Sequence, residues 1–244
     1  MPGIYFQLKW SLLAVMAGTS LAAGSSSVHA AAPAACADFP SRASGMQLIT
    51  TQKTLADVGI DIDANQAGRL RLSDVSLLQG PCVAGVLAAR MGQIVFDDGA
   101  VFGADRHGKF SYSARQPGLP RFLGEPSDGS HPALAGAQFV MAAAVDGSYI
   151  PNQHGALAVG IWRTGAYDVL AAYLRNDDGF SAPVELARSR QPLRSVTYFP
   201  APDANSGRLT LLTRTDTGMA VVSLEWEHAA LSKLRYRGAG AGQR

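Results

Sequence analysis

Adjacent carboxylates are the first groups in this sequence that could do chemistry. Asp97-Asp98 and Asp177-Asp178, with Glu185, Glu225 and Glu227, would supply an acid and a base for glycoside hydrolysis if two of them stood about 5–9 Å apart. Each aspartate pair precedes a glycine, however, where Asp is favoured in turns for backbone hydrogen bonding alone. The turn role is the simpler reading of both pairs. Nucleophilic and metal chemistry leave weaker marks: no G-x-S-x-G elbow and no HExxH occurs beyond residue 30. His107, His131, His154 and His228 are not paired at metal-ligand spacing. Each lies beside Gly, Pro or Glu and reads as a loop histidine facing solvent.

Asp61-Ile62-Asp63-Ala64-Asn65 places oxygen side chains at alternate positions, which could converge on calcium where the backbone turns sharply. The following glycine, Gly68, falls late for that turn, and Leu72 stands where a bidentate glutamate belongs. Calcium through Asp61, Asp63 and Asn65 is therefore a minor expectation beside an ordinary polar turn, and no other metal or cofactor is expected. Four aromatics, Tyr149, Trp162, Tyr167 and Phe180, are candidates for a ligand-facing platform, since a ring offers an apolar face with a polar edge. Trp162 lies mid-way along an apolar run and fits a core position at least as well.

The two cysteines, Cys36 and Cys82, make the firmer prediction. Their meaning depends on compartment, and the first 30 residues address that. Lys9 is the only charged side chain before Asp38, and the run Trp10–Ala23 is apolar. About 14 residues are too few to cross a hydrocarbon core of about 30 Å as a helix, but they match the core of a signal peptide. Val28-His29-Ala30 supplies small residues for cleavage, so a signal peptide over 1–30 and a mature start at Ala31 are expected. An exported chain meets an oxidising compartment, where an even cysteine count reads as a disulfide. Lipid attachment at Cys36 is the rival, weakened by Pro33 and by the distance from the apolar run.

Loss of Lys9 lowers the formal charge from +2 to +1. A near-neutral chain carries no nucleic-acid footprint. Phosphate-cradling glycine loops, dinucleotide fingerprints and heptads are missing, which argues against kinases, Rossmann oxidoreductases and cytosolic regulators. No transmembrane span is expected in the mature chain.

The elements that must position these residues read as strands. Residues 31–44 are Ala-, Pro- and Ser-rich and read as a linker, and 238–244 as a disordered tail. Between them, 45–237 reads as one all-β domain in which short apolar runs alternate with Asp-Gly and Asn-Asp-Asp-Gly turns. Predicted strands include Arg69–Leu72, Val75–Gln79, Val83–Ala89 and Gln93–Phe96, with one helical turn within Thr54–Asn65. In Arg208–Arg214, Leu209 and Leu211 face one side and Leu212 the other, as in a strand covered on both faces. Phe139–Leu186 and Val196–Leu234 share a plan of four strands, with Arg163-Thr164 and Arg214-Thr215 at matching places. A fainter third copy spans Arg69–Ser113. Repeated antiparallel four-strand meanders follow, arranged propeller-like or alternatively as a β-sandwich.

Two functions fit this reading. The first is an exported envelope protein, periplasmic or secreted, acting as a non-catalytic binding or assembly module for a protein or glycan partner. The second is an extracytoplasmic hydrolase or lyase acting on a carbohydrate through loop-borne carboxylates.

Overall fold

A helical turn and three strands open the structure: α1 (Phe39–Ser44), β1 (Gln47–Thr51), β2 (Ile60–Ile62) and β3 (Leu70–Gln79). The computed structural model describes residues 36–115, 134–145, 156–176, 179–203 and 205–228. The signal segment, Tyr149, His131, His154, Asp177, Asp178 and the tail lie outside the described residues. Next come β4 (Val86–Arg90), β5 (Gln93–Phe96), β6 (Ala100–Ala104) and β7 (Phe110–Arg115). They are followed by β8 (Gln138–Ala144), β9 (Ala156–Arg163), β10 (Asp168–Asn176), β11 (Gly179–Phe180) and β12 (Val184–Ser189). The last three strands are β13 (Leu193–Pro200), β14 (Ser206–Thr215) and β15 (Gly218–Glu227).

These strands form three antiparallel sheets, and none closes into a barrel. A four-stranded sheet runs β4-β5-β6-β7 and a six-stranded one β2-β12-β10-β9-β8, with β11 beside β10. The central sheet runs β1-β3-β15-β14-β13. The all-β class and its antiparallel meanders are as the sequence predicts. Arg163-Thr164 and Arg214-Thr215 do mark matching positions, since each ends the second strand of a meander, at β9 and at β14.

Five details differ from expectation. The place beside β15 is filled by β3, brought back from the N-terminal side, and β1 lies beyond it. The fainter third copy is displaced, because Arg69–Gln79 belongs to the central sheet and the third meander begins only at Val86. Arg69–Leu72 and Val75–Gln79 are not two strands but one, β3, with a register shift opposite Ser223 and Leu224. A bulge inserts a residue and interrupts the alternation, which makes one strand read as two. Residues 83–85 form a 3-10 turn instead of strand. Two more such turns, Ala56–Val58 and Ala64–Gln66, flank β2 where one helical turn was expected.

The central sheet contributes to a different core on each face. Leu209, Leu211, Val222 and Leu224 join Ile161, Leu170 and others of the six-stranded sheet in one buried cluster. Leu212, Val221 and Met219 pack oppositely, with Ile94, Phe96 and Phe102 of the four-stranded sheet. Burying a leucine fully is worth about 2 kcal/mol, so a strand such as β14 is held from both sides. The edge strand of the central sheet, β13, packs against both β4 and β8, each an edge strand of one of the other two sheets. Thr197 adds a hydrogen bond across that seam, its hydroxyl donating to the Ala89 carbonyl at 2.7 Å.

The N-terminal stretch read as linker is structured from Cys36 onward. Asp38 caps α1, accepting from the Ser41 amide at 2.7 Å. Cys36 is bonded to Cys82, with their Cα atoms 5.5 Å apart, so the lipid-attachment reading of Cys36 falls. Arg42 fastens the segment: its Nε donates to the Cys36 carbonyl at 2.7 Å and its Nη1 to Asp98 at 2.8 Å. Its guanidinium also lies 4.8 Å from the centre of the Phe96 ring.

Candidate functional site

The central sheet extends past the four-stranded sheet at one end, and its uncovered strand ends carry a grid of charged residues. Moving along one face of β14, the chain passes from Leu212 through Thr210 to Arg208. Leu212 is buried on the four-stranded sheet, and Arg208 is beyond its edge. The same change occurs on β15, from Val221 through Ser223 to Glu225. Register then aligns Arg71, Glu225, Arg208 and Phe199 in one row across β3, β15, β14 and β13. A second row holds Glu227 opposite Ser206, with the Arg69 carbonyl accepting from the Glu227 amide at 2.8 Å.

This face and the tip of the β4–β5 hairpin enclose a cleft of about 390 Å³. At the tip, Met91 takes a positive φ of 43° and points into water with 50% of its surface exposed. Phe199 opposite is 40% exposed, and the Arg90 guanidinium lies 5.0 Å from its ring centre. Pro200 and Pro202 extend this apolar wall. Arg208 reaches Glu225 at 3.8 Å, and Arg71 Nε donates to the Gly68 carbonyl at 3.1 Å. Among the described residues, the remaining guanidinium N–H groups of Arg71 and Arg208 have no hydrogen-bond partner, nor has the guanidinium of Arg69. An exposed pair such as Arg208–Glu225 is worth at most about 1 kcal/mol, so folding alone gives little reason for this grid.

Beneath the cleft lies an aromatic trio. Trp226 meets the Tyr198 ring edge-on, 6.4 Å away at 89°, and the His228 ring at 5.2 Å. Tyr198 donates its hydroxyl hydrogen to the Ser206 carbonyl at 2.9 Å and stands 2.7 Å from His228 Nε2. The ring fits there because residue 207 is glycine, where a Cβ would come within 2.3 Å of the tyrosine oxygen. Trp226 Nε1 is buried without a partner among the described residues.

His228 is thus buried, against the expectation of a loop histidine in solvent; an aromatic pair on β13 and β15 draws it in. Burial pushes its imidazole below the ordinary histidine value, opposed by the Asp203 carboxylate and the Ser206 backbone. As pH falls through the ordinary histidine range, the unfolded chain takes up a proton that the folded chain resists. Stability is therefore full above that range and declines below it. Urea midpoints at pH 7.5 and 5.5 should separate in the oxidised chain, and His228→Gln should reduce the separation. An equal separation in the variant would refute this.

The residues singled out from the sequence occupy other places. Trp162 is buried between Phe139 and Tyr173, at ring distances of 5.5 and 5.7 Å, and serves the core. Tyr167 is half-buried under the Arg188 guanidinium, 4.8 Å from its ring centre. Phe180 lies in β11 beside β10. Asp61 pairs with Arg190 at 3.2 Å, whereas Asp63 caps the turn that holds Asn65, accepting its amide at 2.8 Å. Those oxygens do separate structural jobs. Among the described residues, no three His, Cys, Asp or Glu side chains gather as a metal site would need.

Asp97-Asp98 forms the β5–β6 turn as expected. Burial would raise the Asp98 carboxyl, but the Ala100 amide and Arg42 outweigh it and hold the group below the usual range. Glu185 pairs with Arg188. Of the candidate carboxylates among the described residues, only Glu225 and Glu227 enter the cleft together. The arginines and Phe199 opposite them were not foreseen, because their alignment arises from register among four strands.

Comparison with protein-family models, with curated proteins and with solved structures returned no match.

Proposed function

We propose that this chain is an exported envelope protein acting as a binding or assembly module, with the cleft beside Arg71, Arg208 and Phe199 as its contact surface. The observation that carries the reading is that cleft. Guanidinium groups with unused donors stand beside exposed Phe199 and Met91, on a sheet whose strands are held from both faces. Aromatic, methionine and arginine side chains are the types enriched where proteins meet partners. The Cys36–Cys82 bond supports an oxidising compartment, and among the described residues no helix is long and apolar enough to cross a membrane. Crosslinking the tagged chain in its native host, followed by purification and mass spectrometry, tests the reading. A stoichiometric envelope partner, lost with Arg71→Glu and Arg208→Glu, is the expected result. A recovered partner indifferent to these changes, or none above background, would overturn it.

One observation carries a second reading, hydrolysis of a carbohydrate. Glu225 and Glu227 are two residues apart on one strand face, which separates their backbones by about 7 Å, within reach of an inverting pair. Release of reducing ends from an oligosaccharide, abolished by Glu225→Gln and by Glu227→Gln separately, would establish it.

A further inference from the structure

We infer that the occupant of this cleft is an extended, acidic segment of a protein partner, with two carboxylates about three residues apart followed by an apolar side chain. The inference rests on the binding-module reading and specifies its ligand. Charge comes first. Arg69, Arg71 and Arg208 line the cleft with Arg90 at its rim, against Glu225 and Glu227, so positive groups predominate. Glu225 touches Arg208 only at 3.8 Å, and Arg71 uses one donor on a backbone carbonyl. Each fork keeps donors whose best acceptor is a carboxylate bound through both oxygens.

Spacing comes next. Arg71 and Arg208 lie two strands apart in the row, with Glu225 between them. Neighbouring strands are about 4.8 Å apart, so the two arginine backbones are separated by roughly 10 Å. Three residues of an extended peptide in the polyproline II conformation span nearly the same distance, at about 3.1 Å each, and its three-residue turn brings the first and fourth side chains to the same side. Carboxylates at positions one and four would each meet a guanidinium. Glu225 between them would repel an acidic side chain at the intervening positions.

Phe199 follows Arg208 at the next strand, facing Met91 and Pro202. An apolar side chain just beyond the second carboxylate would remove those groups from water, and methionine adapts to irregular shapes. A sugar ring is a poorer fit. It needs an open aromatic face, and Arg90 already stands over the Phe199 ring.

The test uses the full oxidised chain and fluorescence anisotropy with three labelled peptides of otherwise equal sequence. Their cores are Glu-Ser-Thr-Glu-Leu, Lys-Ser-Thr-Lys-Leu and Glu-Ser-Thr-Glu-Gly. The first is expected to bind at least about tenfold more tightly than the lysine peptide, an advantage that shrinks as salt rises. Arg71→Glu with Arg208→Glu should abolish that preference, and Phe199→Ser should remove the advantage of leucine over glycine. Both sites are at the surface, and an unchanged urea midpoint would confirm that the variants fold. Equal binding of the glutamate and lysine peptides, or no binding by either up to millimolar concentration, would overturn the inference. So would binding of an oligogalacturonate that the Glu-Ser-Thr-Glu-Leu peptide fails to displace. Recovery of a cleft-dependent partner by crosslinking in these cases would leave the binding-module reading standing and only this ligand assignment refuted.

Discussion

Reduction of the Cys36–Cys82 bond is expected to lower the free energy of unfolding by about 4 kcal/mol, the chain-entropy value for a loop of this size. The cysteines are 46 residues apart in sequence, and both are buried, at 4% and 2% exposure, in the cluster shared by the central and four-stranded sheets. The loop they close contains β1, β2 and β3, and β3 is hydrogen-bonded to β15 deep within the central sheet. Opening the bond thus frees more than a terminus, because it loosens the tie between the N-terminal strands and the sheet they complete. The packing of Phe39 on Tyr112, with ring centres 4.5 Å apart, should weaken with it. Urea unfolding with and without reductant, and of the Cys36→Ala, Cys82→Ala double variant, gives the number. A change below about 1 kcal/mol would show that the bond constrains only the segment before β1. Hydrogen exchange confined to that segment would then confirm the local effect.

What the sequence made legible was set by local pattern. The two-sided apolar alternation of β14 required cover on both faces, and two cores supply it. Clusters of aspartate and glycine separated the apolar runs in the sequence, and at Asp97-Asp98-Gly99 the chain does turn between two strands. Pairing between distant segments was not legible. Nothing in Leu70–Gln79 announces that its neighbour is β15, about 150 residues later, since register is fixed by packing and not by a local signal. β2 is three residues long, and β6 follows Gly99 and is interrupted by Gly103, so neither produced a readable period.

The candidate site was hidden for the same reason. Contiguous or regularly spaced residues pointed to Asp61, Asp63, Asn65 and isolated aromatics. The cleft draws its residues from four strands, its main row taking one from each, and adds a hairpin tip. Glu225 and Glu227 were visible as candidates, but their arginine neighbours were not. A polar end to an otherwise apolar strand face, as in Arg208-Leu-Thr-Leu-Leu, was the one available clue. It shows where a covering sheet stops.

The second large effect is expected at Asp168, where a buried carboxylate ties two sheets together. Asp168 is 4% exposed and takes three hydrogen bonds. Arg163 Nε and Nη2 donate at 3.1 and 3.0 Å, and the Leu193 amide donates at 2.8 Å. Arg163 Nη2 also donates to the Leu193 carbonyl at 3.1 Å, so both backbone groups at the start of β13 are held by the β9–β10 hairpin. The guanidinium in turn has its pKa raised, first by the hydrogen bond to Asp168. Asp168→Ala removes the carboxylate and leaves a buried amide unpaired, and should cost about 3 kcal/mol. Asp168→Asn should cost less, because it keeps an acceptor for that amide and Arg163 is open enough to turn towards water. Arg163→Ala is the sharper case, since it leaves the carboxylate buried with only the Leu193 amide. Combined in a double-mutant cycle, the two alanine changes should total well short of their separate costs, because each destroys the same contact. Simple additivity would mean that the pair does not act as one unit, and that apolar packing alone fixes β13 on the six-stranded sheet.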